Sequence, residues 1–418
     1  MSDAIAQGRN AAWMRRFFTM WTGQAVSLVG SALVQFALIW WLTVETRSAV
    51  ILLVSSIAGV LPQVLIVPFA GAMVDRLNRR RVMITADALT ALATLLLMAS
   101  FALGTSAIWQ VFAVLMFRSA MQGFHWPAMQ ASTTLMVPEE HLARISGLNQ
   151  SIQGLSSIIA PPVGAVLIAA LPMAAILSID VVTAAVAIAA LLVVKVPEIR
   201  RGTEKRASVL ADMGDALRYV WSWKGAVVVM LMFTLANLLI TPAFSLLPLL
   251  TLEHFGKGAL EYAAMESMAG VGMIAGGLLL GVWGGTKRKI VTCMAALAMT
   301  GAGTGVIGLL PPEGYLGAVF ACLIIGISLA LVNGTIMAIL QKGVRADMQG
   351  RVFSLLGAIA NAMTPVGLIV AAPIAVTQGI QPWFVVAGAV LLATAGLSFL
   401  WPAVMRLEDH VAEAVAVE

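Results

Sequence analysis

The chain has 418 residues, of which 60% are hydrophobic and only 11% charged, with a mean hydropathy of +0.96. Soluble domains carry about 25% charged residues, so this composition excludes a water-soluble globular protein and leaves one that lives in a bilayer. The net charge of +5 reflects which loops lie on which side of that bilayer, as shown below, and not nucleic-acid binding.

A spanning helix needs roughly 20 apolar residues. Uncharged runs occur at 17–44, 49–74, 88–117, 119–138, 145–179, 225–252, 267–286, 290–312, 314–341 and 352–405. Two of these hold more than one helix. The run 145–179 is divided at Leu171-Pro172, beyond which a helix continues through Asp180 to Val194, and the run 352–405 is divided at Thr377-Gln-Gly-Ile-Gln-Pro382. The pattern predicts an all-α membrane protein with twelve transmembrane helices. Residues 1–196 are expected to form an N-terminal six-helix bundle, 197–223 a cytoplasmic linker, and 224–418 a C-terminal six-helix bundle with a short cytoplasmic tail. Within the linker, Val209, Met213, Leu217 and Tyr219 stand near helical spacing, which predicts a short amphipathic helix on the membrane face.

Orientation follows from the cations, because Lys and Arg are retained on the cytoplasmic side. With both termini placed inside, 22 of the 25 Lys and Arg fall in cytoplasmic segments, Arg47 and Lys257 in external loops, and Arg118 within a span. The first apolar run is too long for a cleavable signal peptide and has no small-residue cleavage site, so it is expected to stay as helix 1. Cys293 and Cys322 fall inside predicted helices, where small core residues are the expectation and neither a disulfide framework nor a metal site is indicated.

Between helices 2 and 3 lies Gly71-Ala-Met-Val-Asp75-Arg76-Leu-Asn78-Arg79-Arg80-Arg81. This turn closely resembles the cytoplasmic loop motif of the major facilitator superfamily: glycine, then aspartate-arginine, then a basic cluster. A weaker echo, Gly277 to Lys289, joins two helices of the second half across Lys287, Arg288 and Lys289 without the aspartate. Paired six-helix repeats of this kind are characteristic of such transporters. More narrowly, Trp21-Thr-Gly-Gln24-Ala-Val-Ser, Phe117-Arg118-Ser, Phe124-His-Trp-Pro127-Ala, Val137-Pro-Glu-Glu140 and Ile179-Asp180-Val look like the macrolide-efflux branch of bacterial drug exporters. The resemblance implies a major facilitator fold and a cytoplasmic gate formed by Gly71, Asp75, Arg76, Arg79 and Arg80. Asn78 stands where the family usually has glycine and is expected to tolerate the left-handed conformation. Ala160-Pro161-Pro162-Val163-Gly164-Ala165 resembles the exporter motif Gly-Pro-x-x-Gly-Gly, with alanine at two glycine positions. Gly154, Ser157, Pro161 and Gly164 form a small-residue stripe on helix 5 that permits close helix contact.

Charges at depth are the candidate functional groups, since a cation at the bilayer centre costs at least about 2.5–3.5 kcal/mol. Arg118, ten residues into helix 4, must face water or a buried carboxylate. It is either a structural ion pair or a residue of substrate binding and proton coupling. Asp180, eight residues into helix 6, is a proton-carrier candidate, with a capped or paired carboxylate as the bland alternative. Glu266, near the start of helix 8, is either a second proton-coupling carboxylate or an interfacial residue in water. Asp87 is expected to pair with nearby cytoplasmic arginines, and His125 to be structural. The amides Gln24, Gln35, Asn237, Asn333 and Asn361 interrupt apolar helices. Interhelical hydrogen bonds are their default role, and Gln24, Asn237 and Asn333, with Arg118, are the candidate substrate contacts.

No Gly-rich phosphate loop followed by Lys-Ser/Thr is present, and no hydrolytic or metal constellation, so no cofactor and no enzymatic activity is indicated. The expectation is a monomeric exporter in the bacterial inner membrane, working with an amphiphilic small-molecule substrate, protons and surrounding lipid, and with no nucleic acid. Uptake, exchange or siderophore-like export of a metabolite is the alternative transport reading. A non-transporting receptor or scaffold is the alternative of another class.

Overall fold

The computed structural model describes residues 2–74, 77–194, 214, 217, 218, 221, 224–344 and 346–405. Twelve long helices are present among them: α1 (Ser2–Thr46), α2 (Ala49–Val74), α3 (Arg79–Ala102), α4 (Ile108–Met136), α5 (Glu139–Ala170), α6 (Met173–Val193), α7 (Lys224–Glu253), α8 (Ala259–Trp283), α9 (Lys289–Leu309), α10 (Tyr315–Gly343), α11 (Ala346–Thr377) and α12 (Gln381–Leu400). A single turn, α13 (Pro402–Met405), follows. Of the four residues used to predict a linker helix, Val209, Met213 and Tyr219 lie outside the described residues, as do Asp75 and Arg76.

Even the shortest of the twelve, the 20-residue α12, measures about 30 Å at 1.5 Å per residue, the thickness of the hydrocarbon layer. Eleven of them meet the length and hydropathy of a membrane span. The exception is α4, whose apolar sequence is interrupted by Arg118, Gln122 and His125. Large apolar side chains face outward along the helices, with Val282 91%, Val193 78% and Leu316 78% exposed, an inversion of soluble surfaces that suits lipid.

Local chemistry sets the helix ends. Asn78 Oδ1 accepts a hydrogen bond from the Arg81 backbone N–H at 3.0 Å, which satisfies one of the free donors at the start of α3. Its φ of −68° and ψ of 110° are extended, so Asn78 is a helix cap and not the left-handed residue expected from the motif. Asn78→Ala should lower stability by about 1 kcal/mol, measured as a small fall in unfolding temperature, while Asn78→Asp should retain the wild-type value. At the end of α8, Gly284 adopts φ 71°, the left-handed C-cap conformation that glycine takes without a Cβ clash.

The chain divides into two compact units: 1–42 with 57–204, and 43–56 with 205–418. In the first, α3 packs on α4 and α6. Gly23 of α1 lies against Ala187 and Ala190 of α6, and Gly164 of α5 against Phe36 of α1, so the small residues of the α5 stripe do serve a close crossing at that position. An apolar cluster around Phe17, Met20, Met83, Met129, Ile145 and Leu191 closes one end of this bundle. In the second unit, α10 packs on α8 and α9, α9 on α12, and α7 on α11. Cys293 and Cys322 are buried there as free thiols.

Candidate functional site

The first unit contains a cavity of about 470 Å³ lined by residues of α1 to α6. Its polar side chains form two layers. The first is centred on Asp180 of α6, which is 1% exposed and ion-paired with Arg118 of α4. The second guanidinium nitrogen, Nη2, lies 3.5 Å from Asp180 Oδ1, so the fork addresses both carboxylate oxygens. Ser31 of α1 donates its hydroxyl to Asp180 Oδ1 at 2.7 Å. Thr94 of α3 donates to Asp180 Oδ2 at 2.9 Å and accepts from Arg118 Nη1 at 2.9 Å. A charge pair at this depth is tolerable only with further hydrogen bonds around it, and the two hydroxyls supply one to each carboxylate oxygen, with Thr94 also accepting from the guanidinium.

The second layer is centred on Asp87 of α3. Gln24 of α1 donates Nε2 to Asp87 Oδ2 at 3.1 Å. His125 of α4 places Nε2 3.3 Å from Asp87 Oδ1, with both side chains 12% exposed. That nitrogen is within ion-pairing range but makes no aligned hydrogen bond.

The layers repeat at a fixed interval. Gln24 and Ser31 on α1, Asp87 and Thr94 on α3, and His125 and Arg118 on α4 are each seven residues apart. Seven residues are about 10.5 Å and close to two turns of helix, so both members of each pair lie on one face. In α1 and α3 the Asp180 layer comes later in the chain, and in α4 it comes earlier, as required when α4 runs opposite to the other two.

Neighbouring contacts hold this frame. Trp21 of α1 donates its indole N–H to Asn149 Oδ1 of α5 at 2.7 Å. The Gln63 backbone N–H of α2 donates to Ser119 Oγ of α4 at 3.2 Å, next to the close approach of Gly123 to Ile66.

The site residues expected from sequence are distributed unevenly. Gln24, Arg118 and Asp180 converge on the cavity. Glu266 lies in the second unit, where Tyr262 donates its hydroxyl to Glu266 Oε1 at 2.8 Å. Asn237 donates its amide to the Phe233 carbonyl of its own helix at 2.9 Å, and Asn333 is exposed on α10. Of the loop motif, Gly71 is within α2. Arg79 donates to the Ala131 carbonyl at 3.2 Å. Arg80 donates through Nε to the Leu191 carbonyl at 2.6 Å and through Nη2 to that of Leu192. Its guanidinium thereby satisfies carbonyls left free at the end of α6, where a cation is also favoured by the helix dipole.

The expectation that Asp87 pairs with cytoplasmic arginines is corrected. Arg79 and Arg80 turn sideways onto the ends of α4 and α6, about two helical turns from Asp87, and His125 takes the place assigned to them. Sequence reasoning also passed over Ser31 and Thr94 as partners of Asp180. The signal that would have found them is the recurrence of polar residues at seven-residue intervals on three helices of low polarity.

This arrangement agrees with a match of the Major Facilitator Superfamily profile to residues 20–368. The chain belongs to that superfamily. Curated relatives of this facilitator protein include macrolide efflux protein A of Streptococcus pyogenes, 35% identical over 385 residues covering 92% of this chain and 95% of the relative. The multidrug efflux pump Tap of Mycolicibacterium fortuitum is 25% identical, covering 91% and 94%. Among solved structures, a mutant of the nucleoside transporter NupG superposes with a TM-score of 0.73 at 13% identity, covering 91% of this chain and 98% of that one. A bacterial homologue of the lysosomal transporter Spinster, in an inward-facing form, gives 0.70 at 13% identity, covering 94% and 98%. These structures establish the fold of this superfamily member as that of a multi-pass membrane transporter.

Proposed function

We propose that this transporter exports amphiphilic, drug-like small molecules, of the macrolide or multidrug type, across the bacterial inner membrane in exchange for external protons. The two units alternate the side to which the substrate site is open, and both termini lie in the cytoplasm. One observation supports the reading most strongly: an otherwise apolar bundle holds a cavity of about 470 Å³ with an arginine, a histidine and two aspartates on its wall. A purely structural bundle gains nothing from charges at that depth. The relatives named as efflux proteins favour export over uptake, and the size of the cavity suits a small organic molecule.

In this scheme Asp180 and Glu266 exchange protons with the outside. A proton on Asp180 dissolves its pair with Arg118 and releases the guanidinium into the cavity, so protonation and substrate contact are linked through one side chain. Gln24, Asn237 and Asn333 contribute polar contacts to substrate, and Gly71, Asp75, Arg76, Arg79 and Arg80 close the cytoplasmic side.

The test is uptake of a macrolide into inverted vesicles, with and without an uncoupler. Wild type is expected to accumulate drug only while the proton gradient stands, and Asp180→Asn to lose at least about 90% of that accumulation, a factor of ten or about 1.4 kcal/mol. Undiminished accumulation by Asp180→Asn removes the residue from the coupling scheme. Accumulation by wild type that ignores the uncoupler removes proton coupling.

A further inference from the structure

We infer that the cavity wall around Trp126 is a saccharide subsite, where the indole packs against the C–H face of a sugar ring while the amides of Gln122, Gln130 and Gln153 bind its hydroxyls. The inference rests on reading the cavity as the substrate chamber, and it names the part of an exported amphiphile that the chamber recognises, a sugar substituent.

The polar side chains of the wall fall into two classes. The charged and titratable groups are turned toward partners within the protein, Arg118 toward Asp180, and Gln24 and His125 toward Asp87. The neutral amides of Gln122, Gln130 and Gln153 line the same cavity, are exposed, and make no side-chain hydrogen bond among the described residues. Interhelical hydrogen bonding is the ordinary reason for an amide in a membrane span. These three amides do not serve it.

Gln122, Trp126 and Gln130 are four residues apart on α4, so they follow one another along one face at intervals of about 6 Å. Trp126 is 36% exposed on the cavity wall and has an amide one turn away on either side. Gln24 and His125 meet at Asp87, which fixes the level of α1 against α4. Trp21 precedes Gln24 by three residues and Gln130 follows His125 by five. Because the two helices run in opposite directions, both lie beyond Asp87 on the side away from Asp180, by about 4.5 and 7.5 Å along the axis. Trp21 gives its indole N–H to Asn149 Oδ1, which brings α5 to that level and leaves the Asn149 NH2 to donate. Gln153 stands one turn further along α5.

A sugar ring has apolar C–H faces and a rim of hydroxyls. Each hydroxyl donates and accepts, and so does each amide, whereas a carboxylate only accepts and a guanidinium only donates. An exposed indole supplies the flat apolar contact. An apolar ligand laid over the same wall would strip water from the amides without replacing its hydrogen bonds, so the arrangement favours a glycoside over its aglycone.

Two probes test this. One is an erythromycin derivative whose amine has been converted to an N-acetyl amide, so that it is uncharged and keeps both sugars. The other is the erythromycin aglycone, which has neither sugar. Binding to the purified full-length protein is measured by calorimetry in a polyoxyethylene detergent, because maltoside and glucoside detergents carry the group under test. Wild type is expected to bind the glycoside at least about tenfold more tightly than the aglycone. Gln122→Met, Gln130→Met and Gln153→Met, each close to glutamine in size but unable to donate, should each weaken the glycoside about fivefold. Trp126→Leu should weaken it about fivefold, and Trp126→Phe, which keeps a ring face, by less.

Equal affinity of wild type for glycoside and aglycone, or undiminished glycoside binding in the three Gln→Met variants and Trp126→Leu, overturns the subsite and leaves the export reading standing. The wild-type comparison needs no variant, so it decides even where a variant fails to fold. Wild type that binds neither probe nor erythromycin itself overturns the substrate chamber, and the subsite with it.

Discussion

Arg118→Met is expected to destabilise the protein by about 3–5 kcal/mol, because it leaves Asp180 as an uncompensated charge in a buried position. Asp180 is 1% exposed, so a carboxylate without the guanidinium is poorly solvated in its place on the bundle wall. Its hydroxyl partners Ser31 and Thr94 stabilise the carboxylate but do not neutralise it. A double variant, Arg118→Met with Asp180→Asn, removes both charges while the new amide keeps an oxygen for the Ser31 hydroxyl. Replacing a buried pair as a whole is often nearly neutral, so the double variant should return to within about 1 kcal/mol of wild type. Chemical unfolding in detergent measures both effects. The coupling between the two sites is the difference between the double variant and the sum of the singles.

The same double variant separates stability from coupling. If Asp180 is a proton carrier, proton-driven accumulation stays lost although the fold is restored. If the pair only holds α4 to α6, accumulation returns with stability, and proton coupling must then be sought at Glu266 or in the Asp87 layer. A single variant as stable as wild type would mean that the pair does not carry the burial of Asp180 at all.

The long helices were legible because hydrocarbon imposes a length and a composition on each span, and the charges between the runs mark where one helix stops. The runs 88–117 and 119–138 are parted only by Arg118, yet the helix runs unbroken through it from Ile108 to Met136. Depth of each ionisable group was also legible, because it is a count of residues from a helix end. Partnership was not. Arg118 and Asp180 are 62 residues apart, and whether their faces meet depends on how α4 and α6 are rotated, which no single helix encodes. The pairing of Asp87 was misjudged for this reason: nearness in sequence to Arg79 and Arg80 counted for less than the phase of α3, which turns Asp87 toward His125. Asn78 shows the opposite situation. There the local choice between cap and left-handed turn was decided by a free N–H at Arg81 within three residues.

Gly326→Leu should abolish accumulation of folded protein, or destabilise it by more than about 3 kcal/mol. A Cβ at Gly326 of α10 would collide with the Ala269 carbonyl oxygen of α8 and lie 3.0 Å from Gly272 Cα. A Cβ at Gly272 would in turn lie 2.9 Å from the Ile327 backbone nitrogen. These are backbone atoms of two helices, so no side chain can rotate away and the helices themselves must separate. In a bilayer, where lipid tails compete equally for apolar surface, the association of α8 with α10 depends on that close fit. Gly277 of α8 is the matched control, since nothing lies within 4 Å of its would-be Cβ. Gly277→Ala should be neutral or stabilising by up to about 1 kcal/mol through helix propensity alone. Size-exclusion profiles and unfolding temperatures of the two variants read the contrast. Because α8 also carries Tyr262 and Glu266, the milder Gly326→Ala should fold less stably than wild type and lose proton-driven accumulation if Glu266 takes part in coupling. A fully stable Gly326→Leu would show that α8 and α10 do not meet backbone to backbone.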